Sequence, residues 1–154
     1  MLHKTIGKYN VGDINFVCAF DVDKRKIGKK LHEAIYLGAN ITREITTPLA
    51  YDAVVFRGPT LDGLIDEMKE ELVHESDEEP VDVARVLKEN KVDVLVNLVP
   101  SGSDEATYFY AEEALKAGCS FINCIPTPLA TKAEWRERFE SQGLVVLGDD
   151  TKSQ

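Results

Sequence analysis

From residue 14 onward, the sequence alternates short, nearly continuous apolar runs with longer stretches whose apolar residues recur at helical spacing. Such runs are typical of strands covered on both faces, and the longer stretches of amphipathic helices. This alternation predicts an α/β fold with a doubly wound, mainly parallel sheet and right-handed crossovers. The predicted strands are 14–20, 53–56, 92–99, 121–125 and 144–147, and the predicted helices are 24–37, 61–73, 81–90, 103–117 and 131–140.

Composition excludes several classes of protein. With 44% hydrophobic and 29% charged residues, the chain can bury a core, which argues against a disordered tail. A formal net charge of −9 argues against nucleic acid as the main partner. No apolar run approaches the roughly 18 residues needed to cross a bilayer, and the N-terminus has no secretory apolar segment, so no membrane partner is expected.

The cysteine and histidine residues predict neither disulfides nor a metal site. The three cysteines lack C-x-x-C spacing and are interpreted as small buried residues of a reduced, cytoplasmic protein. The three histidines are scattered and unpaired with acids or cysteines at ligand spacing, so no metal is expected.

In open α/β sheets, ligands bind beyond the carboxyl ends of the strands, so polar residues at those positions are the candidates for function. Asp21 ends the first predicted strand, and an acid there accepts hydrogen bonds from the adenosine ribose of a dinucleotide. The alternative is an N-cap for the next helix, and the sequence leaves both open. Because the acid would repel a 2′-phosphate, NAD is favoured over NADP.

A Gly-rich phosphate loop is missing from the sequence. None of the ten glycines forms a G-x-G pair. That motif normally lies about 20 residues before the ribose acid, which here would place it upstream of Met1. We therefore interpret residues 1–154 as a single, incomplete Rossmann-like domain that lacks its first Gly-rich strand–helix unit; another α/β fold is the alternative.

Three further segments carry polar residues at predicted strand ends. Pro100–Ser103 opens a helix and can hold a phosphate, ribose or nicotinamide, or Ser101 and Asp104 can simply cap that helix. Arg57 can meet an anion or pair with one of the many acids. Gly148–Ser153 combines two carboxylates and a lysine that can orient a carbonyl, bind a cation or move protons, or form only a frayed tail.

Five motifs, in order along almost the whole chain, closely resemble myo-inositol-phosphate synthase in its shorter prokaryotic form, inositol-3-phosphate synthase. The Arg-Gly-Pro-Thr-Leu-Asp-Gly run and the last motif are far more specific than a glycine pattern. The motifs are Phe20–Asp23, Arg57–Gly63, Glu79–Val83, Val92–Val96 and Gly148–Gln154.

The resemblance implies an NAD-dependent isomerase (an intramolecular lyase) that converts glucose 6-phosphate to inositol phosphate by oxidation, enolisation, aldol closure and reduction. By position, it implies ribose binding by Asp21, a dinucleotide-lining turn at 99–103, and reacting groups near residues 149–152. The implied cofactor-binding residues are Asp21, Asp23, Arg57, Pro100, Ser101, Gly102, Ser103 and Asp149, and the implied catalytic residues are Asp149, Asp150 and Lys152.

The resemblance also implies that the family has a Gly-rich unit before this part, and after it a region with the sugar-phosphate site, most catalytic lysines and tetramer contacts. We therefore expect an internal part of the NAD-binding domain that is inactive alone and binds NAD no better than about millimolar. One alternative is that the chain completes an active enzyme in trans, together with the missing segments. Another is that it is a non-catalytic module in which a second copy covers an exposed sheet edge. A piece of another NAD-dependent dehydrogenase is a further alternative, argued from fold alone.

Overall fold

The computed structural model describes residues 3–38, 51–62 and 72–151, and the fold is given for these ranges. Parallel strands and helices alternate after a small antiparallel hairpin. In chain order the elements are β1 (Thr5–Ile6), β2 (Tyr9–Asn10), a 3-10 turn (Val11–Asp13), β3 (Cys18–Asp21), α1 (Leu31–Ala34), β4 (Val54–Arg57), α2 (Val83–Glu89), β5 (Val94–Asn97), α3 (Asp104–Ala117), β6 (Ser120–Asn123), α4 (Ala133–Ser141) and β7 (Val146–Leu147).

The strands after the hairpin pair in parallel, which confirms the predicted α/β class. β3 pairs with β4, with Asp21 opposite Arg57 at the carboxyl ends. β5, β6 and β7 form a second parallel sheet in that order, with Asn97 opposite Asn123. Within the described ranges, no ladder of hydrogen bonds joins β3 to β5. The parallel architecture is therefore present as two adjacent sheets.

The core lies between the second sheet and its helices. α3 presents Ala111 and Ala114 to this core, and Gly118, at φ 77°, ends the helix in the left-handed conformation that glycine adopts without strain. In the same core, Phe121 of β6 packs against Phe139 of α4 with ring centroids 6.4 Å apart. Both phenylalanines are fully buried.

α2 joins this core through its first turn. Asp82 accepts a hydrogen bond from the Arg85 amide at 2.9 Å, as an N-cap does. Glu113, a buried residue of α3, accepts one from the Ala84 amide at 2.9 Å. Two backbone donors that a helix leaves unpaired are thus satisfied, and α2 is fixed against α3.

The predicted helix over 24–37 is wrong for most of its length, since only Leu31–Ala34 is helical. Asp21 and Asp23 each accept a hydrogen bond from a backbone amide two residues onward, and Gly28 has φ 74°. These local bonds fold the chain into successive turns in place of a helix. The predicted helix over 61–73 lies mostly outside the described residues. The predicted strand over 14–20 begins four residues late, at Cys18.

Candidate functional site at the carboxyl ends of the strands

The sequence-predicted residues gather where the parallel strands end. Asp21 and Arg57 are the last residues of β3 and β4, and Asn97 and Asn123 are the last residues of β5 and β6. The turn that follows β4 contacts α3, because the Asp62 carboxylate accepts hydrogen bonds from backbone amides at the start of that helix. The loop after β4 and the start of the helix that follows β5 therefore lie next to each other.

Asp21 organises the turn that follows β3. Its Oδ1 accepts hydrogen bonds from the amides of Val22 (2.8 Å) and Asp23 (2.9 Å), and its Oδ2 pairs with Lys26 Nζ at 2.8 Å. The carboxylate caps this turn rather than a helix. Since an ionised carboxylate offers about four acceptor positions, one remains for a hydroxyl group of a ligand.

Asp23 is buried, and its side chain stabilises the turn that follows β3. Its carboxylate binds Arg25 through Nε and Nη2, and Arg25 Nη2 also donates to the Leu72 carbonyl at 2.7 Å. Burial raises the pKa of Asp23, but the hydrogen bonds and charge of Arg25 outweigh it and hold the pKa below its ordinary value. This ionised pair ties the turn after β3 to the segment at residues 72–76.

Arg57 is also buried and holds the loop after β4. Its guanidinium donates to the Gly58 carbonyl and, at 2.7 Å, to Thr60 Oγ1. Longer bonds reach Glu75 Oε1 at 3.4 Å and the Ser76 carbonyl at 3.3 Å. Only its Nε lacks a partner. Arg57 therefore connects three segments of the loop layer, and the prediction that it meets a cofactor stays a prediction.

The Pro100–Ser103 segment enters α3 through an exposed turn. Pro100, Ser101 and Gly102 lie on the surface, and Gly102 has φ 92°. Ser103 is the N-cap residue, is 1% exposed, and its hydroxyl has no hydrogen-bond partner. Asp104 accepts a hydrogen bond from Thr127 Oγ1, so the alternative of a Ser101–Asp104 cap is not what the structure shows.

Asp149 anchors the loop between β6 and α4. Its carboxylate accepts hydrogen bonds from the amides of Leu129, Ala130 and Thr131, from Thr131 Oγ1 and from Asn123 Nδ2, at 2.8–3.2 Å. Burial raises the pKa of Asp149, but these bonds outweigh it and hold the pKa below its usual value. Asp149 therefore stays ionised and is saturated with donors.

The structure describes only one of the other two implied catalytic residues, Asp150 and Lys152. Asp150 is exposed, has φ 76°, and its amide donates to the Ile125 carbonyl at 3.1 Å. Lys152 lies outside the described residues. Their catalytic roles, like that of Asp149, stay predictions.

A buried chain of amides at the ends of β5 and β6 was missed by the sequence reasoning. Asn97 Nδ2 donates to Asn123 Oδ1 (3.0 Å) and Thr107 Oγ1 (3.1 Å), and Asn123 Nδ2 donates to Asp149. The chain thus links the ends of β5 and β6 to α3 and to the segment after β7. A signal existed, because in both strands a lone asparagine follows an apolar run.

Two features of this region fit a dinucleotide. Asp21 retains an acceptor position at the carboxyl end of a parallel strand, and the Ser103 hydroxyl is an unsatisfied donor beside α3. Residues 3–38, 51–62 and 72–151 contain no group of three or more His, Cys, Asp or Glu side chains placed to hold a metal ion. Over the same ranges, no helix is both long and apolar enough to cross a membrane.

The parallel strands, their helical connections and the polar residues at the strand ends define a Rossmann-like α/β protein. Over all 154 residues, the sequence is 47% identical to inositol-3-phosphate synthase of Mycolicibacterium smegmatis, 46% to that of Corynebacterium glutamicum and 44% to that of Mycobacterium tuberculosis strain H37Rv. The chain therefore matches part of these inositol-3-phosphate synthases along its whole length, and it spans about 42% of the length of these relatives.

Solved structures agree with the fold. The crystal structure of Ari2 superposes with a TM-score of 0.77 at 30% identity, over 96% of this chain and 41% of Ari2. A myo-inositol-1-phosphate synthase-related protein from Thermotoga maritima superposes with a TM-score of 0.71 at 22% identity, over 94% of this chain and 45% of that one. No protein-family profile matches the sequence.

Proposed function

We propose that this chain is the NAD-binding part of a cytoplasmic isomerase of the inositol-3-phosphate synthase type, whose substrate is glucose 6-phosphate. The observation that carries the proposal is 42–47% identity to curated relatives over the entire chain, most of them named for that enzyme. When bound, NAD supplies hydride transfer. Among the described residues, Asp21 accepts a hydrogen bond from a ribose hydroxyl, and the Pro100–Ser103 turn lies along the dinucleotide.

The geometry supports different roles for the two neighbouring acids. Asp149, with its five donors and lowered pKa, positions the 129–131 segment at the carboxyl end of β6. Asp150 is exposed at the next position, and this exposure supports its proposed role in contacting reacting groups. In this proposal Lys152 is the third catalytic residue.

We further propose that the 154-residue chain does not turn over glucose 6-phosphate by itself. Enolisation and aldol closure need cationic groups against a developing oxyanion. Three cations near the ends of β3 and β4 are already engaged, Lys26 by Asp21, Arg25 by Asp23, and Arg57 by its loop. Co-expression with the remaining segments of a relative, followed by a cyclisation assay, tests this proposal; turnover by the 154-residue chain alone would contradict it.

The first prediction concerns NAD affinity. The chain is expected to bind NAD with a Kd of about 1 mM, and Asp21→Ala to weaken binding about tenfold, because a charge-assisted hydrogen bond to the ribose is lost. Titration followed by amide chemical shifts measures both constants. Asp93→Asn, an exposed acid just before β5, is the control and should bind NAD as the parent does. Equal affinity for the parent and Asp21→Ala, or micromolar binding by the parent, would refute the prediction.

A second candidate function is self-association, supported by an exposed apolar sheet face. Val96, Ile122 and Leu147 lie side by side in register across β5, β6 and β7. Apolar faces of this kind commonly mark interaction surfaces. The exposed members of this face, with their exposed fractions, are Val94 (43%), Val96 (47%), Leu98 (75%), Val145 (54%) and Leu147 (55%).

The chain is therefore expected to form dimers or larger assemblies at high concentration, measured by light scattering. Val96→Lys with Leu147→Lys should shift it to monomers, since buried cations without partners oppose association. Val11→Lys, at an exposed apolar position beside the hairpin, is the control and should leave the assembly intact. A monodisperse monomer of the parent would rule out this candidate.

A further inference from the structure

Lys26 binds the carboxylate of the acid that ends β3. Its ammonium nitrogen lies 2.8 Å from Oδ2 of Asp21, while Oδ1 of the same carboxylate accepts hydrogen bonds from the amides of Val22 and Asp23. An ionised carboxylate has about four acceptor positions, so the chain itself uses three of them. Asp21 can therefore accept one hydroxyl group of a ligand, and a second hydroxyl group would have to displace Lys26.

The ion pair of Lys26 and Asp21 is open to a ligand. The side chain of Lys26 is 27% exposed and that of Asp21 is 28% exposed, so the fold encloses neither. An ammonium group has three N–H donors, and within the described ranges that of Lys26 donates to Asp21 alone. A group that reaches Asp21 from solvent therefore also meets a cation with donors to spare.

This ion pair changes the charge that a ligand meets at the end of β3. An unpaired acid at this position repels a 2′-phosphate, and the preference for NAD drawn from the sequence rests on that repulsion. With Lys26 in contact, the opposite charges largely cancel at a distance of several ångströms. The neighbouring cation, Arg25, pairs with Asp23 instead. A phosphate placed against Asp21 therefore has an ammonium group within reach.

We propose that Lys26 determines which dinucleotide this chain accepts, and that it makes the site tolerant of the 2′-phosphate of NADP. The proposal rests on the proposed function, in which Asp21 binds the adenosine ribose. With NAD, Lys26 stays paired with Asp21, and the acid accepts one ribose hydroxyl group. With NADP, the ammonium group turns from the carboxylate to the phosphate, which carries more negative charge and more acceptor oxygens.

The first arm of the test measures the Kd of NAD and of NADP by titration, followed through the amide signals of residues 21–26. The parent should bind NADP within about tenfold of NAD. Lys26→Met should weaken NADP binding about tenfold and change NAD binding less than about threefold, because only the phosphate loses a charged donor. Lys26→Arg keeps the charge and should restore the ratio of the parent.

The control for the first arm is Lys88→Met. It removes the same charge from the last turn of α2, the helix that leads into the start of β5, and should leave the ratio of the two constants unchanged. A parent that binds NADP more than about tenfold more weakly than NAD would overturn the proposal. The same holds if Lys26→Met has the ratio of the parent, or if Lys88→Met shifts that ratio equally.

The second arm compares adenosine 2′-monophosphate with adenosine, which differ only in the phosphate. The parent should bind the phosphate compound more tightly, and this advantage should disappear in Lys26→Met and shrink at high salt, since salt screens exposed charges. Equal affinity of the parent for the two compounds would overturn the role of Lys26. If neither NAD nor NADP binds the parent, the proposed function fails, and the comparison of these two compounds still decides whether Lys26 binds a phosphate.

Discussion

Replacing Asp149 by asparagine is expected to lower the free energy of unfolding at pH 7 by about 3 kcal/mol, because several backbone donors lose a charged acceptor. An amide has one acceptor oxygen where the carboxylate has two, so the amides of Leu129, Ala130 and Thr131 cannot all be satisfied. Asn123 would also face a second amide in place of an anion. Urea unfolding of parent and variant measures the difference.

The same carboxylate gives the unfolding free energy a defined dependence on pH. The folded pKa of Asp149 lies below its unfolded value, so its contribution is fully present above the unfolded pKa of about 3.9. The contribution is lost as the pH falls through the folded pKa, where the carboxylate is protonated. The difference between the parent and Asp149→Asn should therefore be largest near neutral pH and shrink below about pH 4.

Asp150→Asn provides a matched control, since it removes the same charge from the next residue, which is exposed. That variant should change the unfolding free energy by less than about 0.5 kcal/mol. Equal destabilisation by the two substitutions would show that net charge, rather than the hydrogen bonds of Asp149, determines stability here.

Substituting Gly58 by alanine is expected to destabilise the protein by about 3 kcal/mol, the upper end of the range for overpacking. A Cβ at this position would overlap the Tyr110 hydroxyl and lie 3.5 Å from the Cβ of Phe20. The amide of Gly58 donates to the Asp21 carbonyl at 3.0 Å, which holds the backbone close to β3. Neither Tyr110, buried on α3, nor the tethered backbone can move away without cost. Chemical denaturation of the variant measures the loss.

Removing the overlapping hydroxyl should rescue much of this loss. In the Gly58→Ala background, Tyr110→Phe should recover about half of the lost stability, whereas alone it should change stability by less than about 1 kcal/mol. Additive effects of the two substitutions would show that the clash with Tyr110 is not the cause.

The regular part of the fold was predictable because apolar periodicity determines it. The strands at β4 to β7 and the helices α2, α3 and α4 follow runs whose spacing matches their structure, and they differ from prediction mainly at their ends. The helix prediction is wrong at residues 24–30. Ile27 and Leu31 lie at helical spacing, but the side chains of Asp21 and Asp23 accept hydrogen bonds from backbone amides and so fold the chain into turns. Periodicity reports which face is buried and does not detect such local competition.

For the candidate site, the sequence predicted where the polar residues lie better than it predicted which contacts each of them makes. It placed Asp21, Ser103 and Asp149 at the carboxyl ends of the strands, where the structure has them. It gave no indication that Asp149 binds three consecutive amides or that Asp62 caps α3. These contacts join residues 18 to 44 positions apart, and only the folded chain brings them together.

The separation of the two parallel sheets affects how the molecule unfolds. Within the described ranges, β3 and β5 share no hydrogen-bond ladder, and contact between the two halves includes side chains such as Phe20 against Tyr110, with ring centroids 5.9 Å apart. Side-chain packing lacks the aligned hydrogen bonds by which a backbone ladder holds two strands together. The β3–β4 unit can therefore open as a cooperative unit while β5, β6 and β7 keep their order, which makes this boundary the natural plane of partial unfolding.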